Sequence, residues 1–473
     1  MSFDSVVFLI FLFIFLFLYY GLNDNYKFQN ALIAIGGFVF YGFWEIRFLG
    51  LLIFSCLIDF SISLLIASTS NFYKKKLLLI TSIFFNIGIL VAFKYHGFFI
   101  EQFNNFVSYN QILRTIPEYY IGLILPIGIS FYTFQTLAYT IDVYKGKKEP
   151  EKNLITYTAF VVFFPQLVAG PIERSQKLLP QLKKPRYLDY TNLKKAFFLI
   201  VLGLFMKVVI ADNAAPFVDF GFSVPNKNGA LLFMSTLLFG IQIYCDFAGY
   251  SLIAIGLGSA LGIKLSTNFI APYFSLSLTD FWRRWHITLG NWFRDYVYIP
   301  LGGNRKGLIR QSLNLAIVMF LVGAWHGGNW NYVIWGIWHG LFLAITAIYQ
   351  KYVNFEFPRK IGFLRRIIGW LLTMTIVSFG WYIFRSLDLH LGVERLLNIS
   401  YFSFDKYSLR FVNPFLLFSF IIFIIDSWLY KIPNFKIIDS LSYRNYSLIC
   451  GFGIFCLYIY FGSAKVPFIY FQF

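Results

Sequence analysis

Charge is the first thing this chain lacks. Asp, Glu, Lys and Arg make up 13% of its 473 residues, about half the share of a soluble domain. That composition excludes a soluble enzyme and leaves a polytopic membrane protein. Acidic residues are the scarcer sign, 22 against 40 basic ones, for a net charge of +18. The basic residues are scattered between apolar runs. Such scatter suits cytoplasmic loops better than a nucleic-acid surface, so no nucleic-acid partner is expected. Cysteine is rare. Cys56, Cys245, Cys450 and Cys456 lie in apolar runs without metal-ligand spacing, so they read as buried thiols rather than a disulfide framework. A positive n-region and a small-residue cleavage site are lacking in "MSFDSVVFLIFLFIFLFLYYGL", which is expected to be a first transmembrane helix rather than a cleaved signal. There is no GxSxG elbow and no HxxxxD, which removes support for a serine hydrolase. No repeat and no second domain is visible, so one membrane domain is expected over residues 1–473.

What is abundant is apolar and aromatic: 58% hydrophobic residues and 22% Phe, Trp and Tyr, enough for repeated runs of spanning length. Spans are expected near 5–21, 30–46, 48–68, 76–95, 119–141, 154–170, 195–211, 230–262 (one or two), 312–326, 332–350, 364–385, 411–430 and 446–463. That is roughly eleven to thirteen transmembrane or re-entrant helices. Lys74 to Lys76, Lys145 to Lys152, Arg174 to Lys195 and Arg359 to Arg366 form basic connections that belong on the cytoplasmic face. Residues 264–311 are amphipathic, aromatic and basic, and read as interfacial or re-entrant helices followed by a Gly-Gly-Asn turn. Plentiful Phe, Ile, Asn, Lys and Tyr point to an AT-rich genome.

Histidine is scarce as well, and its placement matters. Of five, His96 and His390 sit at segment ends and read as interfacial polar residues. His326 and His339 lie in "GAWHGGNWNYVIWGIWHG", thirteen residues apart. On one unbroken helix that is about 220° of rotation and about 20 Å of rise, too far for a shared site. "GGN" at 327–329 interrupts the helix and leaves their relation open. A three-histidine zinc site lacks an i,i+4 pair or a carboxylate at a useful offset, so no metal is expected. Two readings remain for His326: a structural histidine bonded across helices, or a neutral general base shielded from water.

"NFIAPYFSLSLTDFWRRWHITLGNWFRDYVYIPLGGNRKG" (268–307), "VGAWHGGNWNYVIWGIWHG" (322–340) and the terminal "PFIYFQF" (467–473) resemble the membrane-bound O-acyltransferase family. They resemble in particular its bacterial polysaccharide O-acetyltransferase branch, which includes alginate and peptidoglycan enzymes. "LPIGISFYTFQTLAYTIDVYKG" (125–146), "FFPQLVAGPIER" (163–174) and "YCDFAGYSLIAIGLG" (244–258) extend the likeness over nearly the whole chain. One departure is Leu252, where relatives often carry Asp.

The resemblance implies an all-α fold around a central tunnel, set in the bacterial inner membrane. It implies catalytic roles for His326 in G-x-W-H-G and His286 in R-R-W-H. His326 is expected as general base, with His286 orienting the acyl group or assisting at the oxyanion. Tyr470, in F-x-Y-x-x-F with Phe468 and Phe473, is implied as acyl carrier; an interfacial aromatic anchor is the alternative. The donor is expected to be acetyl-CoA, met by Arg283, Arg284, Arg294, Lys306 and Arg310 through its phosphates. Trp325 and His339 are grouped with that site. A secreted or periplasmic SGNH-type, esterase-like transferase would then acetylate peptidoglycan N-acetylmuramic acid, or alginate or another exopolysaccharide. A polysaccharide or lipid transporter without chemistry is the reading of another class, and a carrier-protein phosphopantetheine is an alternative donor.

Overall fold

The computed structural model describes residues 1–21, 25–110, 125–168, 170–223, 228–352, 362–386, 388–431, 433–460 and 466–469. Among them the regular structure is all helical, with no strand beyond an isolated bridge between Asn228 and Tyr401. Seven described helices are long and apolar enough to cross a membrane: Ile46–Ser68, Phe72–Lys94, Gly229–Ala260, Leu308–His326, Trp330–Tyr352, Phe363–Arg385 and Lys406–Leu429. The chain is a multi-pass membrane protein. The first part of the expected span 119–141, Arg359 of the basic loop, and Tyr470 and Phe473 lie outside the described residues.

Two compact units are present: Met1–Ile200 with Ser251–Ser266, and Val201–Tyr250 with Thr267–Phe473. In the first, Leu49–Ser68, Phe72–Lys94 and Ile129–Tyr144 pack on one another, and Tyr26–Gly42 packs on Leu154–Val161. Asn25, Asn71 and Asn153 start three of these helices, each side-chain oxygen accepting a first-turn N–H.

The apolar run 154–170 is not the single span expected. It forms two short helices, Leu154–Val161 and Phe164–Leu167. Pro165 has no N–H and suits the opening of the second helix, not the middle of one. The Phe160 carbonyl at the break accepts side-chain amides of Gln135 at 2.7 Å and Gln166 at 3.3 Å. Irregular backbone at membrane depth is tolerable only when satisfied in this way.

In the second unit, Leu308–His326 and Trp330–Tyr352 form a tight antiparallel hairpin, and Phe363–Arg385 packs on Trp330–Tyr352. Gly336 makes the hairpin possible, since a Cβ there would strike the Met319 carbonyl; small residues let membrane helices approach closely. Residues 264–311 fold as short helices, as their pattern predicts: Pro272–Phe274, Leu278–Arg284, Ile287–Phe293 and a π-helical Arg294–Tyr298, then the Gly-Gly-Asn turn. The run 230–262 is one long helix, Gly229–Ala260.

Candidate active site

His326 is the last residue of Leu308–His326, and Gly327 turns the chain into the next helix. The break expected at 327–329 therefore exists, and it folds His339 back towards His326. The Trp335 ring stands between them, 5.1 Å from His326 and 5.0 Å from His339, centroid to centroid. Phe384 closes another side of His326 at 5.1 Å. With 4% of its surface exposed, His326 is enclosed by protein and does not face lipid.

His286 joins the same cluster from a different element. Trp325 bridges it, 6.1 Å from His286 and 4.9 Å from His326. Trp282 packs edge-on against His339 at 5.1 Å and against Trp335 at 5.6 Å. The three histidines thus share one aromatic box, with indoles between the imidazoles.

The box holds His286 in an unusual way. Its backbone is left-handed, with φ 43°, a strained conformation for a non-glycine residue. Asn268 stabilises it. The Asn268 carbonyl accepts the Ile287 N–H at 2.9 Å. Asn268 Oδ1 accepts from the Thr288 N–H at 3.3 Å and the Thr288 hydroxyl at 3.0 Å, and lies 3.0 Å from His286 Nδ1. A backbone N–H can only donate, so Oδ1 is an oxygen acceptor and His286 Nδ1 carries the proton. The lone pair is then on Nε2. Burial pushes the His286 imidazole down to about 3, which keeps it neutral at ordinary pH.

His339 is 1% exposed, and neither ring nitrogen has a hydrogen-bond partner among the described residues. Gly380 makes room for it, because a Cβ there would collide with Nε2. Nε1 of Trp282 and Nε1 of Trp335 are also buried without a partner among the described residues. Buried polar atoms are nearly always satisfied, so these nitrogens keep hydrogen-bonding capacity that water or a ligand would fill. Beside it, Trp381 lies 6.3 Å from Trp335 and also lines an apolar cleft of about 1560 Å³ with Gly240, Tyr273 and Trp370.

The basic residues expected at the donor phosphates do not enter this box. Arg283, Arg294, Lys306 and Arg310 are exposed, and Arg284 is half-buried. Arg284 pairs with Asp280 and Arg294 with Asp295, each at 2.9 Å. Their exposure leaves them open to a ligand arriving from solvent. Tyr470 is outside the described residues, but its neighbour Ile469 is buried. His390 is exposed and His96 half-buried, both apart from the cluster. Cys56, Cys245 and Cys450 are buried free thiols and Cys456 is half-buried.

Sequence reasoning passed over Asn268, whose 18-residue separation from His286 hides their pairing. It also passed over Lys207. A lone lysine inside "FFLIVLGLFMKVVIA" (197–211) was a usable signal, since an ionisable group in a spanning run demands a partner.

Known proteins resemble this chain over much of its length. The family model described as MBOAT, membrane-bound O-acyltransferase family, matches residues 150–385. The peptidoglycan O-acetyltransferase of Helicobacter pylori is 36% identical over 403 residues, covering 79% of this chain and 74% of that protein. The probable alginate O-acetylase AlgI of Pseudomonas aeruginosa is 38% identical over 415 residues, covering 87% and 77%. The teichoic acid D-alanyltransferase of Bacillus subtilis is 29% identical over 290 residues, covering 57% and 71%.

Proposed function

Since the chain belongs to the membrane-bound O-acyltransferase family and is an acyltransferase, we propose that it carries acetyl from cytoplasmic acetyl-CoA across a bacterial cell membrane. The acetyl is destined for an extracytoplasmic polysaccharide. The observation that carries this reading is the buried aromatic box in which three histidines converge with two indole N–H groups that have no partner among the described residues. It is an enclosed, polar-lined site of the kind an activated ester needs, because bulk water would hydrolyse the ester.

The roles follow from the chemistry of each group. His326 acts as general base. It takes the proton from an attacking hydroxyl as that oxygen bonds to the thioester carbonyl carbon. The C–S bond then breaks, and the sulfur leaves as CoA thiolate, which recovers the proton from the imidazolium. His286, with its proton committed to Asn268 and its lone pair on Nε2, is suited to orient that hydroxyl rather than to donate to an oxyanion. Trp282 and Trp335 offer N–H donors for the oxyanion. The hydroxyl belongs to Tyr470, and the aryl ester formed there keeps enough reactivity to pass acetyl to a secreted, esterase-like transferase. Arg283, Arg284, Arg294, Lys306 and Arg310 meet the donor's phosphates at the surface, with Trp325 and His339 lining its reactive end.

The acceptor is peptidoglycan N-acetylmuramic acid, supported by the Helicobacter pylori relative and by residue usage of an AT-rich genome. Alginate is the second reading, because the alginate relatives align over more of the chain. Purified protein with labelled acetyl-CoA should release CoA, and envelope sugars from cells lacking it should lose O-acetyl groups on muramic acid. Absence of CoA release, with release from an acyl-carrier thioester instead, would replace the donor. Loss of acetyl from uronate polymers instead would replace the acceptor.

A further inference from the structure

A buried ammonium group lies in the second unit, and the C-terminal segment completes its surroundings. Lys207 sits in the π-helical stretch Phe205–Ala211, its side chain 5% exposed. Such departures from α-helix are frequent at functional sites. Its Nζ lies 2.7 Å from Asp212 Oδ1 and 2.8 Å from Asp246 Oδ1, and donates to the Val466 carbonyl at 2.9 Å. A lysine ammonium has three protons, and these are three acceptors. The other Asp246 oxygen, Oδ2, accepts the Ile469 N–H at 2.6 Å. Between these two backbone contacts, Phe468 is 1% exposed, its ring 4.2 Å from Tyr250 and 5.8 Å from Phe247. Phe247 in turn meets His286 edge-on at 4.6 Å.

We propose that Lys207 and Asp246 are positioning residues that clamp residues 466–469 through their backbone. The clamp seats the C-terminal segment on the Phe247 ring that walls His286. The physical reason is unequal charge. Two carboxylates face one ammonium, so the pair keeps acceptor capacity that the Ile469 N–H fills, while the Val466 carbonyl takes the remaining ammonium proton. Undocking the segment would leave a buried cation and a buried carboxylate each short of a partner, which is costly in a low-dielectric interior. The clamp grips backbone atoms of residues 466 and 469. Its role in catalysis rests on the acyl-transfer reading above; the docking itself does not.

Hydrogen exchange on the full-length, detergent-solubilised protein tests the docking. Lys207→Met should speed exchange in the C-terminal peptide by about tenfold or more, and Lys207→Arg should restore protection. Because Lys207→Met leaves two buried carboxylates and can compromise folding, Ile469→Pro provides a second route. It removes the N–H donated to Asp246 while leaving both buried charges in place, and should expose the same peptide. In acetyl transfer to an outside acceptor, either variant should lower kcat by about tenfold with KM for acetyl-CoA within about twofold. The double variant should be no worse than the more severe single one, as expected for residues acting through one contact. Unchanged exchange in both single variants overturns the clamp. Faster exchange with unchanged kcat overturns its positioning role. If the wild-type protein releases no CoA, the acyl-transfer reading fails, whereas the exchange result still decides the docking.

Discussion

Two regions of the molecule, one in each unit, differ in how far their buried polar groups are satisfied. In the first, Asp59 lies deep within Leu49–Ser68 and accepts from Ser82 Oγ at 2.5 Å, Asn86 Nδ2 at 2.8 Å and Thr140 Oγ1 at 3.1 Å. Thr136 Oγ1 donates to Asn86 Oδ1 at 3.2 Å, which closes the network. Arg186 is likewise satisfied, by Tyr19 at 2.6 Å, Asn30 at 2.9 Å and the Leu182 carbonyl at 3.2 Å. In the second unit, His339, Trp282 and Trp335 keep buried nitrogens with no partner among the described residues. A saturated network holds helices together and has nothing left to offer a ligand. An unsaturated one keeps donors and acceptors that water or a ligand would fill. The Asp59 and Arg186 networks therefore suit a scaffold, and the histidine box suits a ligand.

Mutations can break that contrast. The largest effect is expected from His326→Ala, which should lower acetyl transfer by roughly 10²–10⁴-fold, the worth of a general base. Insertion and Tm should stay as in wild type, and a variant that keeps activity within about tenfold takes the base away from His326. Asn268→Leu should come next. It frees the His286 ring and loosens the strained turn, and misplacement of a catalytic group costs up to roughly 10²-fold. His286→Asn should show the same loss, with no further loss in the double variant. Gly380→Ala should cost less, about tenfold, by pushing on His339. If its kcat is unchanged, His339 is packing and nothing more.

Asp59→Leu sharpens the contrast from the other side. It strands three donors, each worth about 1–3 kcal/mol when left unsatisfied. Tm should fall by several degrees while activity per folded molecule stays within about twofold. A specific change in KM would move the first unit into the site. The smallest effect is in pH dependence. His286 is neutral in the folded protein down to about 3, against a reference of 6.5. The unfolded chain therefore binds a proton first, and stability is lost as pH falls from 6.5 towards 3. Thermal unfolding at pH 5 and pH 7 should show a larger drop in wild type than in His286→Asn.

Much of the site is legible in the amino-acid sequence. The Gly-Gly-Asn interruption after His326 announces a broken helix, and R-R-W-H announces an amphipathic segment. What cannot be read there is that the hairpin brings His339 back onto Trp335, or that Trp325 links His286 to His326. Those are angles and distances between elements, which periodicity does not encode. The short breaks at Val162 and His286 are hidden for a related reason. Their freed backbone groups, the Phe160 carbonyl and the Ile287 and Thr288 N–H groups, are satisfied by Gln135 and Asn268, which are remote in sequence.

Sequence alone determined that this protein lives in a membrane, that its fold is helical and that it belongs among acyltransferases. Hydrophobic run length and residue-specific motifs are local properties and need no tertiary contact to be read. Only the tertiary structure decided which buried polar groups are saturated, which are left open, and that Lys207 and Asp246 meet the C-terminal segment. Satisfaction of a polar atom depends on what lies within about 3 Å of it, and for these groups that neighbour comes from a distant stretch of chain.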